Sequence, residues 1–262
     1  MIPIGDSPRR RSTPWVTYAI ILINVGVFIY MLTLSTSVPS STAIANRDFR
    51  NQTAGHCYGF QTPPTQSDRF VCKYSFQPKE WFDNAQGRSD VPAPDRPVIF
   101  FSIIAALFLH AGWLHIAGNM LFLWVFGDNV EDRMGHGVYL LFYLAAGIVA
   151  SLVQGAIDTT SVVPVIGASG AIAGVLGAYL VYFPRATISV VIPFFILIFI
   201  PLPIPAWLMI GLWFVQNLFA GMASINQAAS PDAGVAFFAH VGGFVFGMAT
   251  VGLFLRGRPR PS

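Results

Sequence analysis

Four polar side chains lie in apolar segments of this sequence and are of types that can catalyse acyl transfer. Ser169 lies at the head of an apolar run that extends from Ala168 to Phe183. A serine in the first turn of a helix lies beside backbone N–H groups without intrahelical partners, and these groups can bind an oxyanion. His240 is a candidate base for the serine hydroxyl. His115 and Asn119, four residues apart on one helical face, could donate hydrogen bonds to the same oxyanion.

Each of these residues also has a purely structural interpretation. Ser169 could be a small residue in a helix-packing seam, and the two histidines could hydrogen-bond neighbouring helices. No Asp or Glu lies in the predicted helices, so a hydrolase would use a Ser–His dyad with the histidine oriented by something other than a carboxylate. The Gly-x-Ser-x-Gly elbow of α/β-hydrolases is excluded, because Ala171 replaces its second glycine.

The composition is that of an integral membrane protein. Of the 262 residues, 54% are hydrophobic and 10% are charged, whereas a soluble domain has about 25% charged residues. The net charge of +3 comes mostly from arginines near the termini, and no basic stripe interleaved with aromatic residues indicates a nucleic-acid partner. We find no internal repeat, and we expect the lipid bilayer as a partner, no cofactor and no metal.

The apolar runs predict an all-α polytopic membrane protein with six transmembrane helices. The run at 98–126 is too long for one span, and Gly112 is its natural break, so an interfacial helix at about 98–109 precedes the second span. Prolines and β-branched residues at 186–204 favour a membrane-surface hairpin or re-entrant segment. Residues 128–135 are predicted to form a short charged turn. The six predicted spans cover 16–34, 113–127, 138–157, 168–183, 206–221 and 235–255.

The distribution of arginine and lysine predicts the orientation. The short segments assigned to the cytoplasm hold eight arginines, whereas the outer loops at 158–166 and 222–234 hold no Arg or Lys. Both termini are then cytoplasmic, and spans two, four and six start at the outer face, which puts the four polar side chains near that face. We expect a multi-pass protein of the bacterial plasma (inner) membrane. It divides into a cytoplasmic segment at 1–15, a membrane domain at 16–255 with a long outer loop at 36–97, and a cytoplasmic tail at 256–262.

The outer loop contains both cysteines, Cys57 and Cys72. On the oxidising side of the membrane, two cysteines at this spacing favour a disulfide that closes the loop. Two free thiols are the next interpretation. A zinc site that includes His56 is weaker, because no fourth ligand is apparent.

Glycines offer a means of bringing the fourth and sixth spans together. Gly170 and Gly174 form a Gly-xxx-Gly face on the fourth span. Gly243 and Gly247 form another on the sixth span, and Gly243 is three residues after His240. Such faces let helices approach closely, and close packing would bring the histidine to the serine.

With these residues at these spacings, the sequence resembles the rhomboid family of intramembrane serine proteases. The resemblance extends from about residue 16 to 255. Its motifs are His110-xxxx-His115-xxx-Asn119, Gly167-Ala168-Ser169-Gly170 and Ala239-His240-Val241-Gly242-Gly243.

The resemblance implies a six-helix rhomboid bundle and a role for each motif residue. Ser169 would be the nucleophile, His240 the general base, and His115 and Asn119 the oxyanion-hole donors together with the Ser169 backbone. Substrates would be single-pass membrane proteins cut in or next to their transmembrane segments. Residues that would support the active site are His110, Gly167, Gly170 and Gly243.

Two features depart from the family pattern. Some members have a tyrosine four residues after the serine, stacked on the catalytic histidine, but here that position is Ala173, so His240 must be oriented by other means. The outer loop is also longer than in a minimal member. On the fifth span, Trp207, Trp213 and Phe214 are candidates for a moving gate, although aromatic residues at such positions also serve as lipid-facing anchors.

Two other functional classes compete with a protease. A non-catalytic rhomboid-like protein that binds membrane clients would have no reason to keep both Ser169 and His240. A transporter or channel can use intramembrane histidines as proton relays, but the predicted spans hold no carboxylate and no repeat. The sequence leaves the oligomeric state undetermined.

Overall fold

The computed structural model describes residues 1–37, 65–88, 96–191, 201–225 and 236–254, and there the chain is mostly helical. The elements, in chain order, are β1 (Ile2–Asp6), α1 (Trp15–Thr33), α2 (Gln66–Tyr74), α3 (Pro78–Ala85), α4 (Arg96–Ala105), α5 (Trp113–Met134), α6 (His136–Ile157), α7 (Ser169–Tyr182), β2 (Thr187–Val191), β3 (Leu202–Pro205), α8 (Ala206–Ile225) and α9 (Phe237–Thr250). Helix α4 continues into a 3-10 turn at Ala106–Phe108, and α9 into another at Val251–Phe254.

Three helices, α1, α6 and α8, are long and apolar enough to cross a membrane. The apolar run at 98–126 is broken as predicted, because α4 with its turn meets α5 at an angle of 80°, and this bent pair can count as a fourth span. Helices α7 and α9 are apolar but shorter. The described chain therefore has three to four candidate spans by length and composition, and the count of six stays a prediction.

The prediction of a charged turn at 128–135 is wrong, because α5 continues as a helix to Met134. Glu131, in its last turns, is fully buried and accepts hydrogen bonds from the backbone N–H groups of Val16 at 2.9 Å and Thr17 at 2.7 Å. The residue before α1, Pro14, provides no side-chain cap. The carboxylate of Glu131 therefore caps the N-terminus of α1 from another helix, and this stabilises the start of α1. Acidic residues are thus present in a helix, contrary to the expectation from sequence.

The two arms of the hairpin predicted at 186–204 are present. Strands β2 and β3 pair antiparallel, and residues 192–200 lie outside the described chain. The sequence analysis missed β1, which pairs antiparallel with β2 and makes a three-stranded sheet in the order β1-β2-β3. At its end, Asp6 accepts hydrogen bonds from the Tyr179 hydroxyl at 2.6 Å and from the Asn129 amide at 2.9 Å. The first residues of the chain are therefore bound to the ends of α5 and α7.

Part of the predicted outer loop is helical. Helix α2 begins with a capping box in which Thr65 and Asp68 satisfy each other's backbone N–H groups. Between α2 and α3, the buried Phe76 exchanges backbone hydrogen bonds with Val165, close before α7. This part of the loop is thus fixed to the segment that leads into Ser169. The predicted Cys57–Cys72 disulfide depends on Cys57, and His56 of the zinc alternative is its neighbour; both lie outside the described residues.

Helix α7 occupies the centre of the bundle. Of its 14 residues, 11 are buried, and it packs against α5, α6 and α9. A helix that is apolar on every side is stable only when other elements surround it. Its first residue, Ser169, is consequently held in a fixed position relative to three other helices.

Candidate active site

Glycines hold α7 and α9 in direct backbone contact. A Cβ atom at Gly243 would overlap the carbonyl of Gly170, and one at Gly247 would overlap the carbonyl of Gly174. Helix α9 could not approach α7 this closely with larger residues at Gly243 and Gly247, whereas a Cβ at Gly170 or Gly174 would meet Ala150 or Ala146 of α6 first. The seam defined by these glycines fixes the distance between the two helices.

This seam brings the serine and the histidine together. Ser169 is the first residue of α7, and His240 lies in the first turn of α9. The Nε2 atom of His240 is 2.7 Å from the Oγ of Ser169, which is a hydrogen-bonding distance. Both side chains are half-buried. A serine hydroxyl in contact with an imidazole is the pairing that activates a nucleophile.

His115 and Asn119 reach the same place from α5. A Cβ atom at Gly167 would lie 2.7 Å from His115 Cε1, 2.8 Å from its Nε2 and 3.8 Å from Asn119 Nδ2. Gly167 also has a φ of +119°, which disfavours any residue with a Cβ. This glycine therefore gives both side chains access to the backbone just before Ser169.

The donors on these two side chains face the site. The backbone N–H of Ala111 donates to Nδ1 of His115 at 3.4 Å, which leaves the proton of the neutral ring on Nε2, beside Gly167. The Nδ2 of Asn119 is buried and has no hydrogen-bond partner within the described ranges. The first N–H groups of α7 lack intrahelical acceptors. Three kinds of N–H donor thus lie around the backbone that precedes Ser169, and their residues line the same cavity as Ser169.

These groups open onto a cavity of about 480 Å³. Its polar lining is provided by Ser169, His240, His115 and Asn119. The rest of the wall is largely apolar, and it includes Leu114, Phe122, Ile166, Ile172 and Trp213. A cavity with a few convergent polar groups in an apolar wall is typical of a binding site for an apolar ligand.

The other face of His240 contacts a residue that the sequence analysis missed. The Nδ1 of His240 is 2.6 Å from Oδ1 of Asn217, a buried residue of α8. The Nδ2 of Asn217 donates to the Trp213 carbonyl at 2.8 Å, and the Trp213 ring centre lies 5.8 Å from that of His240. The signal was present, because Asn217 and its neighbour Gln216 are the two amides of a largely apolar helix and the histidine had no orienting group. Ala173 is buried in α7.

The remaining predicted residues lie around the site or away from it. His110 is buried, and its ring centre is 5.0 Å from that of His115. Of the three candidate gate residues, Trp213 lines the cavity, whereas Phe214 stacks on Phe244 with ring centres 4.6 Å apart. Trp207 is 56% exposed. The structure thus brings one of the three aromatic side chains to the site.

Comparison with known proteins gives a family match. The model of the Rhomboid domain matches residues 99–257, a range that contains Ser169 and His240. Rhomboid protease GluP of Bacillus subtilis is 44% identical over 81 residues, which are 31% of this chain and 15% of that protein. RHOMBOID-like protein 6, mitochondrial, of Arabidopsis thaliana is 28% identical over 181 residues, or 67% of this chain and 53% of that protein. Rhomboid protein 1, mitochondrial, of Saccharomyces cerevisiae is 31% identical over 155 residues, which are 56% of this chain and 40% of that protein.

The matched part of each relative is limited, since the chain spans about half or less of the length of these three proteins. The family model, in contrast, covers more than half of this chain. Its match also includes the helices α5, α7 and α9 that build the site. With its long apolar helices, the chain is an integral membrane protein that belongs to the rhomboid family.

Proposed function

We propose that this protein is an intramembrane serine endopeptidase. It hydrolyses peptide bonds in or next to transmembrane segments of membrane-protein substrates. Ser169 is the nucleophile and His240 the general base, and the oxyanion hole consists of His115, Asn119 and the Ser169 backbone N–H. The observation that supports this proposal most strongly is the 2.7 Å distance between Ser169 Oγ and His240 Nε2.

The proposed reaction follows from these positions. Ser169 Oγ attacks the carbonyl carbon of the scissile bond, and its proton passes to Nε2 of His240. The carbonyl oxygen becomes negatively charged and accepts hydrogen bonds from the converging N–H groups. His240 then gives the proton to the leaving amine, and the C–N bond breaks to leave an acyl-enzyme. A water molecule, deprotonated by His240, hydrolyses the ester and regenerates Ser169.

The shape of the site supports a transmembrane substrate. The largely apolar wall of the cavity can contact side chains from a membrane segment. A peptide bond inside a transmembrane helix is shielded by its own backbone hydrogen bonds, so the segment must unwind before cleavage. Glycine or proline near the bond lowers the free energy of that unwinding. Single-pass segments with such residues are therefore the proposed substrates.

The location of the site supports the proposed topology. Ser169 and His240 lie in the first turns of α7 and α9, and His115 and Asn119 lie in the first two turns of α5, so these three helices begin at the same end of the bundle. This agrees with six spans, cytoplasmic termini and a site near the outer face, where water can reach it. A bacterial plasma membrane remains the proposed location.

A serine-reactive probe tests the proposal. In proteoliposomes, a fluorophosphonate should label the parent protein and cleavage of a panel of single-pass segments should be measurable, with helix-weakening residues moved along each segment. Ser169→Ala and His240→Ala should abolish both signals. Ser102→Ala is a matched control, because this buried hydroxyl donates to the carbonyl of Ile99 on α4. It should keep both activities.

The opposite result is equally clear. A parent protein that folds but shows neither labelling nor cleavage would refute the protease. That result would favour the alternative of a non-catalytic rhomboid-like protein that binds membrane clients.

A further inference from the structure

We infer that Asn217 is the positioning residue that takes the place of the missing triad carboxylate, by fixing the tautomer and ring orientation of His240. This inference rests on the proposed function, because it assigns a role in the activation of Ser169. It is supported by two consecutive hydrogen bonds: from the Asn217 amide to the Trp213 carbonyl, and between His240 Nδ1 and Asn217 Oδ1.

The first hydrogen bond determines which way the amide points. A backbone carbonyl only accepts hydrogen bonds, so the group of Asn217 that lies 2.8 Å from the Trp213 oxygen must be the NH₂. The amide oxygen then faces His240. A flipped amide would put two acceptor oxygens in contact and is disfavoured at this buried position.

The amide oxygen in turn determines the tautomer of the histidine. Oδ1 of Asn217 only accepts, and it lies 2.6 Å from Nδ1, so Nδ1 must carry the proton of the neutral ring. Nε2 is then unprotonated and can accept the proton of Ser169 Oγ at 2.7 Å. The other tautomer would present an N–H to the hydroxyl and could not act as a base. The orientation of a neutral amide thus sets the chemical competence of the dyad.

An amide suits this environment for a physical reason. Asn217 lies on α8, an apolar helix and a candidate span. An ionised carboxylate at a buried position there would need a compensating partner, whereas a neutral amide accepts the same hydrogen bond with a smaller loss of hydration. Trp213, one turn earlier on α8, also lies beside the imidazole, with ring planes inclined at 38°. One face of α8 therefore provides both contacts that hold His240.

The first test is kinetic and uses the full-length protein in proteoliposomes with a cleavable single-pass segment. Asn217→Leu removes both hydrogen bonds at similar volume, and we expect kcat to fall about 100-fold while KM changes by less than about threefold. Asn217→Asp keeps an acceptor for Nδ1–H and should retain at least about tenfold more activity than Asn217→Leu. Gln216→Leu removes a neighbouring, exposed amide from the same helix and should match the parent.

A structural role for Asn217 predicts a different pattern. If Asn217 acts through His240, Asn217→Leu should lower kcat while its Tm stays close to that of the parent. A loss of cleavage that is matched by a large fall in Tm, and that Asn217→Asp does not rescue, would overturn the positioning role. Cleavage by Asn217→Leu at the parent rate would overturn it as well.

The second test does not require activity. In protein labelled with [¹⁵N]histidine, the signals of His240 can be assigned by their loss in His240→Ala. We expect a protonated Nδ1 and an unprotonated Nε2 in the parent and in Gln216→Leu, and a mixture of tautomers in Asn217→Leu. A parent with its proton on Nε2 would overturn the inference.

The two tests also separate the inference from the proposed function. A parent protein with the expected tautomer but without cleavage would refute the protease function and the catalytic role of the Asn217–His240 hydrogen bond. The hydrogen bond itself would still be present. A cleaving parent whose His240 signals do not change in Asn217→Leu would refute Asn217 alone.

Discussion

A single methyl group added two helical turns away from His240 should strongly lower the proposed activity of this protein. Gly247 lies in the glycine seam, seven residues after His240, and does not line the cavity. In Gly247→Ala, the new Cβ would lie 2.7 Å from the carbonyl carbon of Gly174 and 2.9 Å from its Cα, and closer still to its oxygen. All of these atoms belong to the backbone, so no flexible side chain can move aside.

The size of the effect follows from that contact. Nonbonded carbon atoms prefer a separation of about 3.5–4.0 Å, so α9 must move away from α7 by about 1 Å. If α9 moves as a rigid rod, the distance from Ser169 Oγ to His240 Nε2 grows from 2.7 Å to about 3.7 Å, beyond hydrogen-bonding range. A misplacement of this size lowers the rate about 100-fold. Overpacking should lower the free energy of unfolding by only about 1–3 kcal/mol, so the variant should still fold.

The assay combines three measurements in the same preparation. Initial rates of cleavage in proteoliposomes and the rate of fluorophosphonate labelling report the dyad, and thermal unfolding in detergent reports the fold. Gly211→Ala is the matched control, because no atom of the described residues lies within 4 Å of a Cβ at this helical glycine. It should change the rate by less than about twofold. Parent-like cleavage and labelling in Gly247→Ala would refute the argument that the seam sets the distance within the dyad.

Two further predictions concern stability. Burial raises the pKa of Glu80 to about 7 from 4.5. Between these two pH values the folded protein therefore binds more protons than the unfolded chain, and its stability falls as the pH rises from the lower value to the higher. Glu80→Gln should therefore raise Tm by about 2–6 °C at pH 8 but not at pH 5, and an equal change at both would contradict this account. Glu131→Ala removes the cap on α1 and should lower the free energy of unfolding by about 2–4 kcal/mol. The control is Asp128→Ala, which breaks an ion pair with Arg10, whose side chain is 42% exposed, and should lower the free energy of unfolding by less than about 1 kcal/mol. Equal losses of unfolding free energy in the two variants would argue against the cap.

The residues of the candidate site were predictable because polar side chains in apolar helices are rare and expensive. Ser169, His240 and the His115–Asn119 pair stand out from the runs around them. The charge distribution then assigned their helices a common direction, and the glycines indicated which two helices touch. Each inference used a property of a single segment or a simple count.

Asn217 was not predicted, because its role depends on how α8 is rotated relative to α9. An amide in a helix can bond to its own backbone, to a neighbour or to water, and the sequence does not choose among them. Glu131 was misjudged for a related reason. Its acceptors are satisfied by backbone N–H groups about 115 residues earlier in the chain, so a buried charge was interpreted as the end of a helix.

Strand β1 was missed because its propensity is poor. Pro3 and Gly5 both disfavour a strand, and the register shifts between them. The strand exists because β2 offers an edge and Asp6 meets Tyr179 and Asn129. Such a strand is defined by its partner and cannot be recognised from its own residues.

The attachment of the N-terminus has a consequence for biosynthesis. The chain emerges from the ribosome in order, so residues 2–6 are made long before Tyr179 and the residues of β2 with which they pair. Until then, this segment has no edge to join, and α1 has no carboxylate at its amino end until Glu131 has been translated. Formation of the sheet thus has to wait for the synthesis of β2, which lies more than 180 residues after β1 in the sequence.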